Sequence, residues 1–402
     1  MNGPFHATAI RQHFPALAGG TAFFDGPGGS QTPVAVADAI RDALLNPLSN
    51  RGTGTAAARN AEDIVVQCRS ALADLLGAGA DEVIFGRSMT ALTFELSRTL
   101  ARQWAPGDEI VVTRLDHDAN VRPWVLAAAD AGATIRWVDF DPVTSELPVR
   151  NVEAQLTTRT RLVAVTAASN LIGTMPDIPA IAAVVHAAGA LLYVDGVHYT
   201  AHSAVDFAAL GADFFACSPY KFLGPHCGVV AGRRDLLADL RPAKLLPSPD
   251  QVPERFEHGT LPYELMAGTT AAVDFLAGLA PGSGSRRDRL VAGMSALERY
   301  EDALRHRLET GLAQLAGVCV HSRAGRRTPT LLLTFAGHDA ADVSTALAAH
   351  DIYAPAGSFY AYEAARLLGL GEAGGLRIGL APYNIAEEAD RLIGALAEVL
   401  SR

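Results

Sequence analysis

Seven short apolar runs punctuate the middle of the chain: EVIFG at 82–86, EIVVTR at 109–114, TIRWVDF at 134–140, RLVAVTA at 161–167, LLYVD at 191–195, DFFAC at 213–217 and VVAG at 229–232. Each is bounded by Gly, Pro or polar residues, and strands this uniformly apolar are what a mainly parallel sheet needs when helices cover both its faces. The segments between them, such as VRPWVLAAADAG and DIPAIAAVVHAAG, place apolar residues three and four apart and stop at glycine, as amphipathic helices do. Strand and helix in alternation predict an α/β fold built on a large, mainly parallel seven-stranded sheet.

The pattern changes at PGSGSRRDR, residues 281–289, where a Gly/Ser-rich turn leads into a long polar helix predicted to reach about Leu315. Beyond it, TPTLLLTF, the helical ADVSTALAAH, GGLRIGL and a last helix from Ala386 describe a smaller α+β unit. The expected division is a large α/β domain over residues 20–280 and a small domain over 281–402, with residues 1–19 packing on the small one.

Composition narrows the function. Of the 402 residues 49% are hydrophobic and 19% charged, which fits a folded globule better than a disordered chain. Lys plus Arg number 33 against 43 Asp plus Glu, a formal charge of -10, so the basic footprint of a nucleic-acid binder is missing. The four cysteines (Cys68, Cys217, Cys227, Cys319) show neither a disulfide framework nor zinc-ligand spacing, so no metal site is expected and a reducing cytoplasm fits. The opening MNGPFHATAIRQHF lacks a signal-peptide pattern, and no apolar run of about eighteen residues offers a membrane span.

In open α/β sheets ligands bind beyond the carboxyl ends of the strands, so the residues that follow each strand belong together. After DFFAC comes Ser218-Pro219-Tyr220-Lys221. A lysine there is able to form an imine with an aldehyde cofactor if burial or cationic neighbours free its amine; taken alone it reads rather as a solvated lysine after a strand. Asp195 ends LLYVD, where a carboxylate is able to pair with a protonated pyridine nitrogen, or simply to cap the following turn. A glycine run at Gly26-Pro27-Gly28-Gly29 is too short for a dinucleotide fingerprint.

These positions, read with FFDGPGGSQTP, VDGVH, SPYK, FEHGT and LRIGLAPYN, resemble the class V aminotransferase family of fold type I pyridoxal phosphate enzymes, in its cysteine desulfurase-like branch. The resemblance runs from Asp25 to Asn384. It implies that Lys221 carries pyridoxal phosphate and shuttles the proton, that Asp195 holds the pyridine nitrogen, and that His117 in LDHDANVRPW stacks on the ring. Asn170 in ASNLIGT and His198 would face the phenolic oxygen. Met89-Thr90, opening a helix, would bind the phosphate together with Ser218 and Tyr220, since helix N-termini favour anions. Thr260 in HGT would reach the phosphate of a neighbouring subunit, which implies a homodimer. Arg377 would grip the substrate carboxylate through its planar fork of donors, with Gly28 and Gly29 also on the substrate side. A small amino acid is the implied substrate.

The sequence departs from the family pattern at Tyr220, where histidine is usual, and at His198, where desulfurases carry glutamine. A third departure bears on mechanism. The stretch upstream of Arg377, APAGSFYAYEAARLLG, contains no cysteine to receive sulfur as a persulfide. Cys217 and Cys227 read as small buried hydrophobes. Phe359 and Tyr360 read as packing for the helix that follows, or else as a cover over the substrate. The expected function is a desulfurase-like enzyme that cleaves a C-S bond directly, with an aminotransferase or epimerase as the alternative, and a noncatalytic dimeric protein that binds the cofactor as the distant one.

Overall fold

The computed structural model describes residues 5–401. Its strands, in chain order, are β1 (Ala22–Phe23), β2 (Val83–Gly86), β3 (Glu109–Thr113), β4 (Thr134–Val138), β5 (Thr160–Thr166), β6 (Leu191–Asp195) and β7 (Phe214–Cys217). They continue with β8 (Gly228–Gly232), β9 (Val318–Val320), β10 (Thr330–Phe335), β11 (Ile352–Tyr353), β12 (Ala356–Gly357) and β13 (Gly375–Gly379).

All seven predicted runs join one sheet, in the order β2-β8-β7-β6-β5-β3-β4. β8 runs antiparallel to both neighbours, and every other pair is parallel. Successive side chains of a strand point to opposite faces, so each run feeds two cores at once. Val111, Val163, Val165, Leu192, Val194 and Phe215 enter one buried cluster, while Ile110, Val112, Leu162, Ala164, Tyr193 and Phe214 enter the other. Fully apolar strands are therefore the requirement here, not the alternating kind.

The covering helices start and stop as their sequences dictate. Ser88 caps Met89–Ala101 by accepting the Ala91 N-H at 3.1 Å. The helix Arg122–Ala131 has proline in its first turn and ends on left-handed Gly132 (φ 70°), where a residue with a Cβ is disfavoured. Ile178–Ala187 is capped by Asp177.

A second sheet, antiparallel in the order β12-β13-β10-β9, packs on the long helix Arg286–Leu312 and the last helix Ala386–Leu400. Its central strands are the predicted TPTLLLTF and GGLRIGL runs. β9 escaped the sequence reading because VCV is three residues long and only half-buried, too short to show a period. The start of the chain is threaded into the same region: β1 pairs with β11, Asp25 bridges Gly379, and Phe24 is buried among Leu331, Leu376 and Ile378. Within residues 5–19, Phe5 stacks on Tyr300, Arg11 bonds the Tyr383 carbonyl and Glu388, and Phe14 meets both Phe275 and Tyr383. Residues 1–4 of the predicted N-terminal segment lie outside the described residues.

Candidate active site

Because β2, β3, β5, β6 and β7 all run in one direction, the residues that follow them meet along one edge of the sheet. β8 begins at that edge, and its first residue has to be glycine: a Cβ on Gly228 would lie 2.1 Å from the Met89 nitrogen. The helix Met89–Ala101 is thereby seated directly over the sheet. Between this edge and two loops, one from each end of the chain, lies a cavity of about 590 Å³.

Of the sequence-predicted residues, Gly28, Met89, Thr90, His117, Asn170, Asp195, His198, Ser218, Tyr220, Lys221 and Arg377 line this cavity. Two do not. Gly29 lies behind Tyr220, whose ring is 3.3 Å from where a Cβ would stand. Thr260 lines a separate cavity with His258 and Arg87.

Lys221 ends a short 3-10 turn, and its amine donates to the Pro27 carbonyl. Burial, then the Arg377 guanidinium, lower its pKa to about 7, against the opposing pull of Asp25 and Asp195. Near neutral pH a large fraction of this amine is thus unprotonated and nucleophilic. The turn is held from behind: Leu223, with a left-handed φ of 73°, gives its N-H to Ser30 Oγ at 2.9 Å. Asp195 accepts the Val197 N-H at 2.9 Å. Burial raises its pKa to about 6, although that hydrogen bond and Lys221 both oppose the rise. A cation placed beside it would oppose that rise further.

His117 both caps and lines: its Nδ1 accepts the Ala119 N-H at 3.0 Å while the ring forms part of the cavity wall. Burial, then Lys221 and Arg377, lower its pKa to about 4, so the ring is neutral and carries its proton on Nε2. Thr90 is not a cap, since Ser88 holds that position, and it stands exposed in the first helical turn. Ser218 Oγ makes no capping bond either. Hydroxyls and helix amides are thus both present where an anion would sit.

Arg377, 2% exposed, donates from Nη1 to the Asn170 carbonyl at 3.1 Å and from Nη2 to Asp25. Its guanidinium carbon lies 3.6 Å above the Phe359 ring centroid. Gly28 serves this arrangement, because a Cβ there would collide with the Asp25 carboxylate at 2.0 Å. Asp25 was not singled out by sequence reasoning, although an acid directly after the apolar pair Phe23-Phe24 was a usable signal.

Phe359 and Tyr360 both line the cavity, and Phe359 also packs against the core that holds Ala361, Ala364 and Ala365 of the next helix. Both adopt left-handed backbone, φ 53° and 58°, a strained conformation held by Asn170 Nδ2 on the Phe359 carbonyl and the Asp118 N-H on the Tyr360 carbonyl. Tyr360 is 76% exposed, with its ring 5.5 Å from His117. No cysteine lines the cavity; Cys68, Cys217 and Cys227 are buried elsewhere.

The residues present fit pyridoxal phosphate. Three buried polar atoms of lining residues lack partners: Asn170 Oδ1, His198 Nδ1 and Arg377 Nε. Unpaired buried polar groups are costly, and all three belong to residues that line this one cavity, which fits a polar ligand there. Lys221 would take the aldehyde, Asp195 the ring nitrogen, and Thr90, Ser218 and the adjoining helix amides the phosphate.

The chain is 34% identical over 98% of its length to the aminotransferase-like protein FGM3 of Gibberella zeae, covering 99% of that protein. It is 30% identical to a cysteine desulfurase of Dickeya dadantii, covering 97% of this chain and 96% of the other. The structure of the cysteine desulfurase CsdA from Escherichia coli superposes with a TM-score of 0.87 at 27% identity, covering 99% of both chains, which establishes the fold type I architecture. The family model for aminotransferase class-V matches residues 22–392, and the chain is an enzyme belonging to that family.

Proposed function

We propose that this enzyme carries pyridoxal phosphate on Lys221 and cleaves the C-S bond of a small cysteine-like amino acid directly, without passing sulfur to a protein cysteine. The observation that carries the reading is the cavity itself: it joins a depressed lysine, a buried aspartate and a buried arginine, and it contains no thiol.

Bound there, the cofactor's ring supplies a sink for the electron pair released when a bond to the amino acid's α-carbon breaks. The protein's own groups do the rest. Arg377 binds the substrate carboxylate, oriented by the Asn170 carbonyl and by Asp25. Asp195 keeps the ring nitrogen protonated, and neutral His117 packs against the ring face without adding charge. Lys221, its amine free near neutral pH, accepts the α-proton at Nζ and returns it where the product needs it. Phe359 and Tyr360 cover the mouth and limit water. Thr260, set apart from this cavity, would serve the phosphate of a second subunit in a homodimer. We further place the boundary between a large domain (20–280) and a small one (281–402) at the Gly/Ser-rich turn, and the enzyme in the cytoplasm.

The likeness to an aminotransferase-like protein favours one other reading, transamination, which would consume a keto acid acceptor. The test is to supply the pyridoxal phosphate-loaded enzyme with cysteine, cysteine sulfinate, selenocysteine and alanine in turn, following sulfide, pyruvate and the absorbance of the cofactor. Sulfide with a stoichiometric product and no added acceptor supports C-S cleavage. Turnover only when a keto acid is added would replace it with transamination.

A further inference from the structure

A line of buried polar side chains runs from the cavity to the long helix. His198 is 3% exposed, and its Nε2 lies 2.9 Å from both Thr328 Oγ1 and Thr330 Oγ1, while its Nδ1 has no partner. The ring of His202 meets it edge-on, 4.8 Å between centroids at 75°. His202 Nδ1 is in turn 2.8 Å from Oε2 of Glu301, which is 1% exposed on Arg286–Leu312. A carboxylate buried this deeply carries a large desolvation cost, and Glu301 Oε1 lacks a partner altogether. Packing alone would be better served by an apolar residue.

Two hydroxyls flank the Nε2 side of His198. Thr328 Oγ1 has the Gly173 carbonyl at 3.3 Å as an acceptor, whereas Thr330 Oγ1 has only His198 and Thr328 within reach. Each hydroxyl has one hydrogen to give; where Thr330 gives its hydrogen to Nε2, a neutral ring carries its proton on Nδ1, the nitrogen without a protein partner. The groups around the ring favour that neutral state: burial most, then His202 from its own turn, and Arg377 and Lys221 from the cavity side. Glu301, with Glu298 near it, faces His202 from the helix behind.

We propose that Glu301, acting through His202, is a positioning residue that holds the His198 ring with its Nδ1-H offered to the cavity as a donor to the cofactor's phenolic oxygen. This rests on the assignment of pyridoxal phosphate to that cavity, and extends it to two residues that do not line it. The pair works as a unit. Glu301 fixes the His202 ring through Nδ1, and that ring, edge-on to His198, fixes the His198 ring in turn.

Two readouts test this, one of them free of the cofactor. Histidine ring ¹⁵N NMR of the cofactor-free protein reads the His198 tautomer, with His198→Phe identifying the signal. Absorbance titration of the pyridoxal phosphate-loaded enzyme reads the pH midpoint of the visible band. In the unaltered protein His198 is expected as the Nδ1-H form between pH 6 and 8. Glu301→Gln, which keeps the shape and removes the carboxylate, and His202→Phe, which keeps the edge-on ring but not the bond to Glu301, should each shift His198 toward mixed tautomers. Both should raise the absorbance midpoint by about one unit, as a lost donor to the phenolic oxygen would. An Nε2-H tautomer in the unaltered protein overturns the proposal, as do an unmoved His198 signal and midpoint in the folded variants. If Glu301→Gln does not fold, the native tautomer and His202→Phe still decide. Histidine spectra as expected, in a protein that binds no pyridoxal phosphate, would uphold the positioning and remove the cofactor assignment instead.

Discussion

The two walls of the active-site cavity are built in different ways. One is the carboxyl edge of the seven-stranded sheet, where Asp195, His117 and Lys221 stand within a few residues of strand ends fixed by apolar packing on both faces. The other is made of loops far apart in sequence, Asp25–Gly29 and Phe359–Tyr360, held by a two-residue strand pair, an Asp25 to Gly379 bridge and Arg377. The first wall is rigid because sliding any strand would expose its side chains. The second is kept in place by a handful of polar contacts and two strained residues, so it is the part suited to move as substrate enters.

Removing the reactive group from the rigid wall should have the largest effect. Lys221→Ala is expected to lower turnover by about 10⁴-fold or more while the protein stays folded, as steady-state assay and circular dichroism would show. Activity close to that of the unaltered enzyme would take catalysis away from the sheet edge. On the second wall, Arg377→Ala should reduce kcat/KM by about 10²-fold or more through lost carboxylate binding, with pyridoxal phosphate still retained. Equal loss of cofactor and substrate would mean that Arg377 supports the whole site and is no dedicated substrate contact.

A stability measurement sharpens the same contrast. In the cofactor-free protein Lys221 titrates near 7 instead of 10.5, so between those values the unfolded chain binds more protons than the folded one. Folded stability therefore rises with pH across that window, and the cost of the buried amine is complete below pH 7. Lys221→Met should raise the melting temperature at pH 6 to 7, with the gain shrinking toward pH 10. A gain independent of pH would show that the amine is fully solvated. The smallest effect is expected at the mouth: Tyr360→Ala, at a side chain 76% exposed, should change KM a few-fold and leave the melting temperature unmoved. A large loss of stability there would make the loop part of the core after all.

The same contrast explains what could be read in advance. The sheet strands announce themselves because burial on both faces demands uninterrupted apolar runs, and each run then points to the residue at its end. Lys221 and Asp195 were found that way, and their shared cavity follows from parallel pairing of β6 with β7. Asp25 carried no such mark: its position depends on pairings with residues some three hundred and more places away, which no local period records. Tyr360 was misjudged for a related reason. Aromatic residues before a helix usually pack beneath it, and only the left-handed backbone at 359 and 360 turns this pair toward the cavity. His202 and Glu301 were invisible because a histidine-carboxylate pair 99 residues apart leaves no spacing rule to find.

Reduction with borohydride followed by peptide mapping would test the attachment most directly. The protein loaded with pyridoxal phosphate should yield one modified peptide, with the pyridoxyl group on the side chain that follows Ser218-Pro219-Tyr220. A label on Lys244 or any other amine, or no label at all, would contradict the assignment of this cavity as the cofactor site.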